Sequence, residues 1–227
     1  MAARTHEKAA QAAQRSEDWF RARLGVLTAG SCFKTIMYGR KDGIRSLVLT
    51  KVAERLTGTW QEASSASLEW GKQHEDEALS AYRFRQGVET TEAGLIYHPD
   101  SAEIGCSPDA LVGEEGGAEV KCPHTSREHV RNLLEGLNWK EYGPQVQGCL
   151  WITGREWWDF VSYDPRMPQP ARLYVQRYYR DEDYIEELAE KVWAVNEQIR
   201  DTVLALMEDN VEALERVEQE GVNAGQE

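Results

Sequence analysis

Cysteine is scarce in this chain of 227 residues, and its four copies, Cys32, Cys106, Cys122 and Cys149, share no CxxC spacing. That argues against an iron–sulfur site and, with nothing secretory in the sequence, for reduced thiols in a cytosolic protein. Long apolar runs are missing too: no stretch approaches the roughly 20 residues that a membrane helix needs. Met1 to Gln14 is alanine-rich and polar, without the apolar centre of a signal peptide, so residues 1–15 are expected to form a flexible arm. Histidine is limited to five scattered copies, and His74 reads as a helix-face residue rather than a metal ligand. Positive charge is the minority, with 26 Lys and Arg against 39 Asp and Glu and a net charge of −13.

The acids are not spread evenly. Residues 1–60 hold eleven Lys and Arg against five acids, residues 61–180 hold twelve against nineteen, and residues 181–227 hold three against fifteen. The N-terminal quarter is therefore basic and the C-terminal end strongly acidic. No internal repeat is visible.

What is present is a chemical constellation. Ser107-Pro108-Asp109 is followed by Glu119-Val120-Lys121. If Gly117 to Lys121 is a strand, Glu119 and Lys121 emerge on one face and Val120 on the other. The glycine-rich Gly113 to Gly117, between apolar runs at Ala110 to Val112 and Ala118 to Val120, supplies a hairpin that brings Asp109 back to them. Mg²⁺ prefers one or two carboxylates, with water and substrate oxygens completing its shell. Asp109 and Glu119 suit that role, two ions roughly 4 Å apart would stabilise attacking and leaving oxygens together, and the Val120 carbonyl would add a ligand. Lys121 would orient the attacking water and offset transition-state charge. This is a constellation for phosphodiester cleavage, although an ordinary surface hairpin with a Glu/Lys pair satisfies the same short pattern.

A third acid strengthens it. In Ser67 to Gln86 the residues Leu68, Gly71, Ala78, Leu79 and Tyr82 recur at helical spacing. Glu75 falls within that inward stripe, while Asp76 and Glu77 turn toward solvent. A carboxylate on an apolar face is costly unless it is paired or binds a cation. Glu75 is either salt-bridged or the third acid of the site.

Coarse element assignment gives helices around Ser16 to Arg23, Gly30 to Met37, Ile44 to Gly58, Ser67 to Gln86 and Pro144 to Ile152, with a loop at Gly39 to Gly43. Strands fit Ala93 to His98, Ile104 to Cys106, Ala110 to Val112, Gly117 to Lys121, Trp157 to Tyr163 and Leu173 to Tyr179. A helical crossover before Trp157 implies a mixed sheet, and Trp157-Trp158 should place one ring on each face. From Asp181 the apolar positions Ile185, Leu188, Val192, Val195, Ile199, Val203 and Leu206 mark a long amphipathic helix that would continue to Val217. The expectation is one α/β domain over residues 16–217, with a mixed central sheet flanked by helices and an acidic disordered tail at 218–227.

Five blocks in order carry a family resemblance. They are Glu17-Asp18-Trp19-Phe20 with Arg23-Leu24-Gly25-Val26-Leu27-Thr28-Ala29; Glu69-Trp70-Gly71-Lys72-Gln73-His74-Glu75; Cys106 to Asp109 with Glu119 to Pro123; Gln145-Val146-Gln147; and Tyr163-Asp164-Pro165-Arg166-Met167. Together they resemble the phage lambda exonuclease family. The resemblance implies the restriction-endonuclease-like core and a Mg²⁺-dependent, processive 5′-to-3′ exonuclease on double-stranded DNA, with Mn²⁺ as a substitute ion. It implies 5′-mononucleotide products and 3′ overhangs for recombination. It further implies a homotrimeric ring, a single-strand annealing protein as partner, and the cytoplasm of a bacterial host.

Carried over residue by residue, the resemblance assigns metal binding to Asp109, Glu119 and the Val120 carbonyl, and the nucleophilic water to Lys121, with Glu75 and Gln145 completing the site. Arg23 would hold the 5′-terminal phosphate, for which a guanidinium fork is well shaped, helped by Ser107, Thr28 and Ser31. Thr28-Ala29-Gly30-Ser31 carries one residue more than the family's Thr-Ala-Ser, which displaces the serine. Arg127 matches a further DNA-contacting arginine or a solvated helix cap. The basic Arg21, Arg23, Lys34, Arg40, Lys41 and Arg45 would follow a duplex backbone, and the acids elsewhere would repel DNA from other surfaces. The alternatives are a same-core endonuclease or single-strand nuclease, and a non-catalytic DNA-end clamp.

Overall fold

The computed structural model describes residues 16–60 and 66–208, so the expected arm at 1–15, the helix extension to Val217 and the acidic tail lie outside the described residues. Helix α1 (Glu17–Ala22) begins where the Ser16 hydroxyl accepts from the Trp19 N–H at 3.2 Å, with Glu17 and Asp18 in the first turn. Unpaired N–H groups there favour both the cap and the negative charge. Strand β1 (Leu27–Thr28) leads to α2 (Ser31–Tyr38) and α3 (Lys41–Thr57). The stretch Gly39 to Gly43 is therefore mostly helix rather than loop: the Arg40 carbonyl already accepts from the Gly43 and Ile44 N–H groups. Helix α4 (Ala66–Gln86) follows, one residue longer than its apolar stripe suggests.

Strands β2 (Ile96–His98) and β3 (Ser101–Cys106) are antiparallel, and β1 joins the other edge of β3 in parallel, Leu27 opposite Ile104. Ala93 and Leu95 are buried but precede the ladder, which makes β2 shorter than its apolar run. A second, four-stranded sheet runs β4 (Ala110–Val112), β5 (Gly116–Lys121), β6 (Trp157–Tyr163), β7 (Leu173–Tyr179). Its outer pairs are antiparallel, and β5 with β6 is parallel. Parallel neighbours need a crossover, which α5 (Ser126–Glu135) and α6 (Trp139–Thr153) provide. The long helix α7 (Glu182–Met207) closes the chain, capped by Asp181, whose carboxylate accepts from the Tyr184 N–H at 3.1 Å.

Each face of the second sheet has its own core. Trp158 and Phe160 point into the larger one with Phe33, Val146, Leu150, Leu188 and Ile199. Ala118, Val120, Val161 and Tyr163 point into the other, with Ala78, Leu79 and Tyr82 of α4. Trp157 packs against this second core and Trp158 lies in the first, so the pair does place one ring on each face. The start of β5 must be glycine for that reason: a Cβ on Gly116 or Gly117 would come closer than 3.0 Å to the Trp157 or Trp158 ring opposite.

Two helices depart from the sequence expectation. Helix α6 starts at Trp139, not Pro144, and carries the proline inside. An internal proline costs about 3 kcal/mol, but the first turn sets Trp139 against the rings of Tyr178 and Tyr184, with centroids at 5.8 and 5.4 Å. Those ring contacts offset part of that cost, at about 0.5–1.5 kcal/mol per pair. Helix α5 had no apolar signal because its buried positions are polar. His129 Nδ1 meets the Ser162 hydroxyl at 2.8 Å and Nε2 the Ala171 carbonyl at 2.8 Å, while the Asn132 amide donates to Ser162 at 3.0 Å. In α7, Ile185, Leu188, Val192, Val195 and Ile199 are buried as expected, but Leu206 is exposed.

Candidate functional site

The β4–β5 hairpin is the element on which the acids meet. Ala110 pairs with Ala118 and Leu111 with Gly117, with the turn made at Gly113, whose φ of 55° favours glycine. Asp109 stands at the foot of β4, where its Oδ2 accepts from the Val120 N–H at 2.7 Å. That bond brings the first carboxylate beside the middle of β5. Glu119 and Lys121 share the face of Phe160, and Val120 turns to the opposite core.

Glu119 is 1% exposed, yet only one of its oxygens is satisfied: Oε1 accepts from Lys121 Nζ, and the buried Oε2 meets no hydrogen-bond donor among the described residues. A buried carboxylate oxygen without a donor is costly. Burial by itself would push the Lys121 ammonium down, but the nearby Glu119 and Asp109 charges and the hydrogen bond to Glu119 outweigh it and hold the group above its ordinary value. The Tyr142 ring of α6 lies 5.5 Å from the ammonium and is itself tilted against Phe160 at 5.3 Å.

Asp109, Lys121 and Tyr142 line a cavity of about 310 Å³, whereas Glu119, bonded to Lys121, is not part of its lining. Glu75, Lys72, Gly71 and Ser67 of α4 form one wall, and Asp109, Val120 and Lys121 the other, with Cys122, Pro123 and Tyr142 at the margin. Glu75 thus faces Asp109 and Lys121 across the space, as its place in the apolar stripe suggested, while Asp76 and Glu77 are exposed. The Cys122 thiol is pushed up to about 12 by burial and by the Glu75 and Asp109 carboxylates, which leaves it protonated and unreactive. Among the described residues no group of three His, Cys, Asp or Glu side chains forms a ready metal cage. The donor set nevertheless suits a hard cation that keeps waters and takes only one or two carboxylates, and the unmet Glu119 Oε2 could serve as one of its oxygens.

A second polar cluster is centred on Arg23. Arg23 donates to the Ser107 hydroxyl at 2.7 Å and to the Thr28 hydroxyl at 3.3 Å, and its guanidinium sits 4.2 Å from the Trp19 ring centroid. Burial pushes the guanidinium below its usual value against the opposing pull of Cys32, Cys106 and Glu54. The turn carrying Arg23 is held from α3: Gly25, at φ 69°, donates its N–H to Glu54 at 2.9 Å, and its carbonyl accepts from Arg55 at 3.0 Å. This is why the Arg-Leu-Gly block is read as a unit.

The remaining candidates divide. Ser31 is exposed at the first position of α2, and the hydrogen bonds of Arg23 go to Ser107 and Thr28 instead. Gln145 is half-buried and does not line the cavity; Tyr142, one turn earlier on the same face of α6, does. Arg127 leaves 89% of its side chain in solvent in the first turn of α5, 3.6 Å from Glu128, which suits a helix end and leaves it outside the cavity. Of the basic residues, Arg21 pairs with Glu17 and Lys34 with Glu141, both at 2.6 Å, while Arg40, Lys41 and Arg45 are exposed. Tyr142 and Lys72 were not singled out from sequence, although each precedes a candidate, Gln145 or Glu75, by three residues on a helix. All four cysteines are free thiols, and His74 packs against Trp70 on α4, ring centroids 4.2 Å apart and planes tilted. No helix among the described residues is long and apolar enough to cross a membrane.

Comparison with known proteins places the fold and the family. A model of the YqaJ-like viral recombinase domain matches residues 18–156. The crystal structure of an alkaline exonuclease, LHK-Exo from Laribacter hongkongensis, superposes with a TM-score of 0.80 at 35% identity, over 87% of this chain and 99% of that one. LHK-Exo in complex with dAMP gives 0.81 at 36% identity over the same shares. A phage-related exonuclease from Haemophilus somnus 129PT shares the fold, with a TM-score of 0.58 at 18% identity, over 73% of this chain and 84% of that one. No curated protein matches the chain. The chain belongs to the YqaJ-like viral recombinase family and is an exonuclease built on the restriction-endonuclease-like fold.

Proposed function

We propose that this exonuclease degrades one strand of double-stranded DNA from its 5′ end, with Mg²⁺, releasing 5′-mononucleotides and leaving 3′ overhangs for recombination. The observation that carries the reading is the buried Glu119 carboxylate, clasped on one oxygen by Lys121 and unmet on the other, where Lys121 itself lines a cavity together with Asp109 and Glu75. Asp109, Glu119 and the Val120 carbonyl would hold the ion, with Glu75 and Gln145 nearby. A divalent cation bound there supplies charge neutralisation and polarisation of the phosphodiester. Lys121, held close to Glu119, orients the attacking water and offsets charge as the pentavalent state forms. Tyr142 limits where its ammonium can swing.

The direction of attack is supported by the Arg23 pocket. A guanidinium presenting two N–H groups beside two hydroxyls suits a terminal phosphate. Ser107 belongs to the Arg23 cluster and Asp109 to the cavity, with only Pro108 between them in the chain. On this reading a phosphate held at Arg23 would present the adjoining phosphodiester to the acids. The LHK-Exo complex with dAMP, a deoxynucleoside monophosphate, supports a mononucleotide product. The family resemblance supports processive action as a homotrimeric ring beside a single-strand annealing protein in the bacterial cytoplasm.

The test is digestion of linear duplexes carrying a 5′-phosphate or a 5′-hydroxyl, beside closed circles, with Mg²⁺, Mn²⁺ or EDTA, for wild type and Lys121→Ala. Cleavage restricted to linear DNA, faster from phosphorylated ends and dependent on the ion and Lys121, is the expected result. Cut circles would mean an endonuclease, and no cleavage of any substrate would mean an end clamp.

A further inference from the structure

The block Tyr163-Asp164-Pro165-Arg166-Met167 has no role in the site as described so far, yet it is built around a buried charge. Asp164 is 0% exposed at the end of β6. Its Oδ1 accepts from Arg166 Nε at 2.7 Å and from the Arg166 backbone N–H at 3.0 Å, and its Oδ2 accepts from Nη2 at 2.9 Å. The same guanidinium donates through Nη1 to the His124 carbonyl at 3.0 Å and through Nη2 to the Pro123 carbonyl at 3.2 Å. Its Cζ lies over the Trp70 ring, 4.4 Å from the centroid. Three elements meet at one side chain: the end of β6, the segment leaving β5, and α4.

Those elements carry the two walls of the cavity. Pro123 lines it and follows Lys121 by two residues, while Trp70 immediately precedes Gly71, which lines the opposite wall. Glu75 lies five residues beyond Trp70, about 7.5 Å further along α4. Trp70 also packs against His74 at 4.2 Å with the rings tilted and meets the His124 ring edge-on at 5.9 Å, so it is braced on both sides.

We infer that Arg166, fixed by Asp164, is a positioning residue that sets Glu75 of α4 against Lys121 of β5, so that the two walls of the cavity keep one separation during cleavage. This rests on the nuclease reading of the site. The donor inventory separates it from a direct contact with DNA. A guanidinium has five N–H donors, and four already point at Asp164, Pro123 and His124. A lysine would keep the charge but could not serve the carboxylate and both carbonyls from one planar fork, nor stack on Trp70 in the same way.

The test compares wild type, Arg166→Lys and Trp70→Leu in single-turnover digestion and in DNA binding across a salt series. Trp70→Leu leaves the Asp164 pair intact, so it reports on the clamp even where the arginine variant folds poorly. A misplacement on the order of 1 Å at a reacting centre costs up to about 10²-fold, so kcat is expected to fall ten- to a hundredfold in both variants. KM and the salt slope stay unchanged, and circular dichroism at the assay temperature remains native. A kcat within twofold of wild type in both variants overturns the clamp. So does a salt slope reduced by about one in Arg166→Lys, the mark of a lost phosphate contact. A wild-type protein that cleaves no DNA overturns the nuclease reading, and this inference with it.

Discussion

Replacing Lys121 by methionine should destabilise the folded protein apart from any effect on cleavage. The substitution keeps the unbranched stem and removes the ammonium that satisfies Glu119 Oε1, leaving a carboxylate that is 1% exposed with neither oxygen paired. Breaking a buried pair by removing one partner costs about 3–5 kcal/mol. Lys121 keeps 27% of its side-chain surface in water, so the pair is partly screened and about 2–3 kcal/mol is the better expectation. For a chain of this size each kcal/mol lowers Tm by roughly 2–4 °C, which puts the fall at roughly 4–12 °C. Differential scanning calorimetry without divalent ions, at pH 8, measures it. The double variant Glu119→Gln with Lys121→Met should recover most of the loss, because a neutral amide removes the stranded charge. A Lys121→Met protein melting within about 2 °C of wild type, or a double variant no more stable than the single one, would refute the reasoning.

Gly117→Ala should cost about 1–3 kcal/mol in urea unfolding, because the new methyl meets the fully buried Trp158 ring, which has no room to withdraw; a change within 0.5 kcal/mol would contradict that packing. Acid should weaken the protein through Asp164. Burial alone would raise this carboxyl, but hydrogen bonds from Arg166 and Ser126 hold it near 2, below its unfolded value of about 3.9. Its contribution is therefore fully present above pH 4 and lost as pH falls toward 2; with a partly exposed partner it amounts to about 1–2 kcal/mol, and Asp164→Asn should flatten the stability profile in that window. Arg23→Lys should reduce kcat/KM on 5′-phosphorylated ends about tenfold, the worth of one charge-assisted hydrogen bond, with little effect on 5′-hydroxyl ends; an equal loss on both would remove the terminal-phosphate role.

The parts of the fold that were legible in the sequence are those where one physical rule dominates. Alternation along Gly117 to Lys121 placed Glu119 and Lys121 together and Val120 opposite, because a half-turn per residue leaves no alternative in a strand. Helical spacing put Glu75 on the inner stripe of α4 and drew most of α7. The illegible parts are where tertiary contacts override the local rule. Helix α5 buries His129 and Asn132 while exposing Leu134, so apolar periodicity could not reveal it. Helix α6 runs through Pro144 because Trp139 gains an aromatic seat before it. Within the site, Arg23 and Ser107 were read as one pocket although 84 residues separate them. The Arg166 bridge to Pro123, His124 and Trp70 could not be, since main-chain acceptors leave no trace in residue identity.

The central claim is that Arg23 and Ser107 seat a 5′ end so that the acids and Lys121 hydrolyse the first phosphodiester beyond it. The most direct measurement is the identity of the first product from a short duplex whose 5′-terminal and 3′-terminal nucleotides of each strand carry different isotopic masses, sampled before one full turnover with Mg²⁺ present. The account predicts a 5′-mononucleotide bearing the 5′-terminal mass. A first product bearing the 3′-terminal mass, or an oligonucleotide, would contradict it.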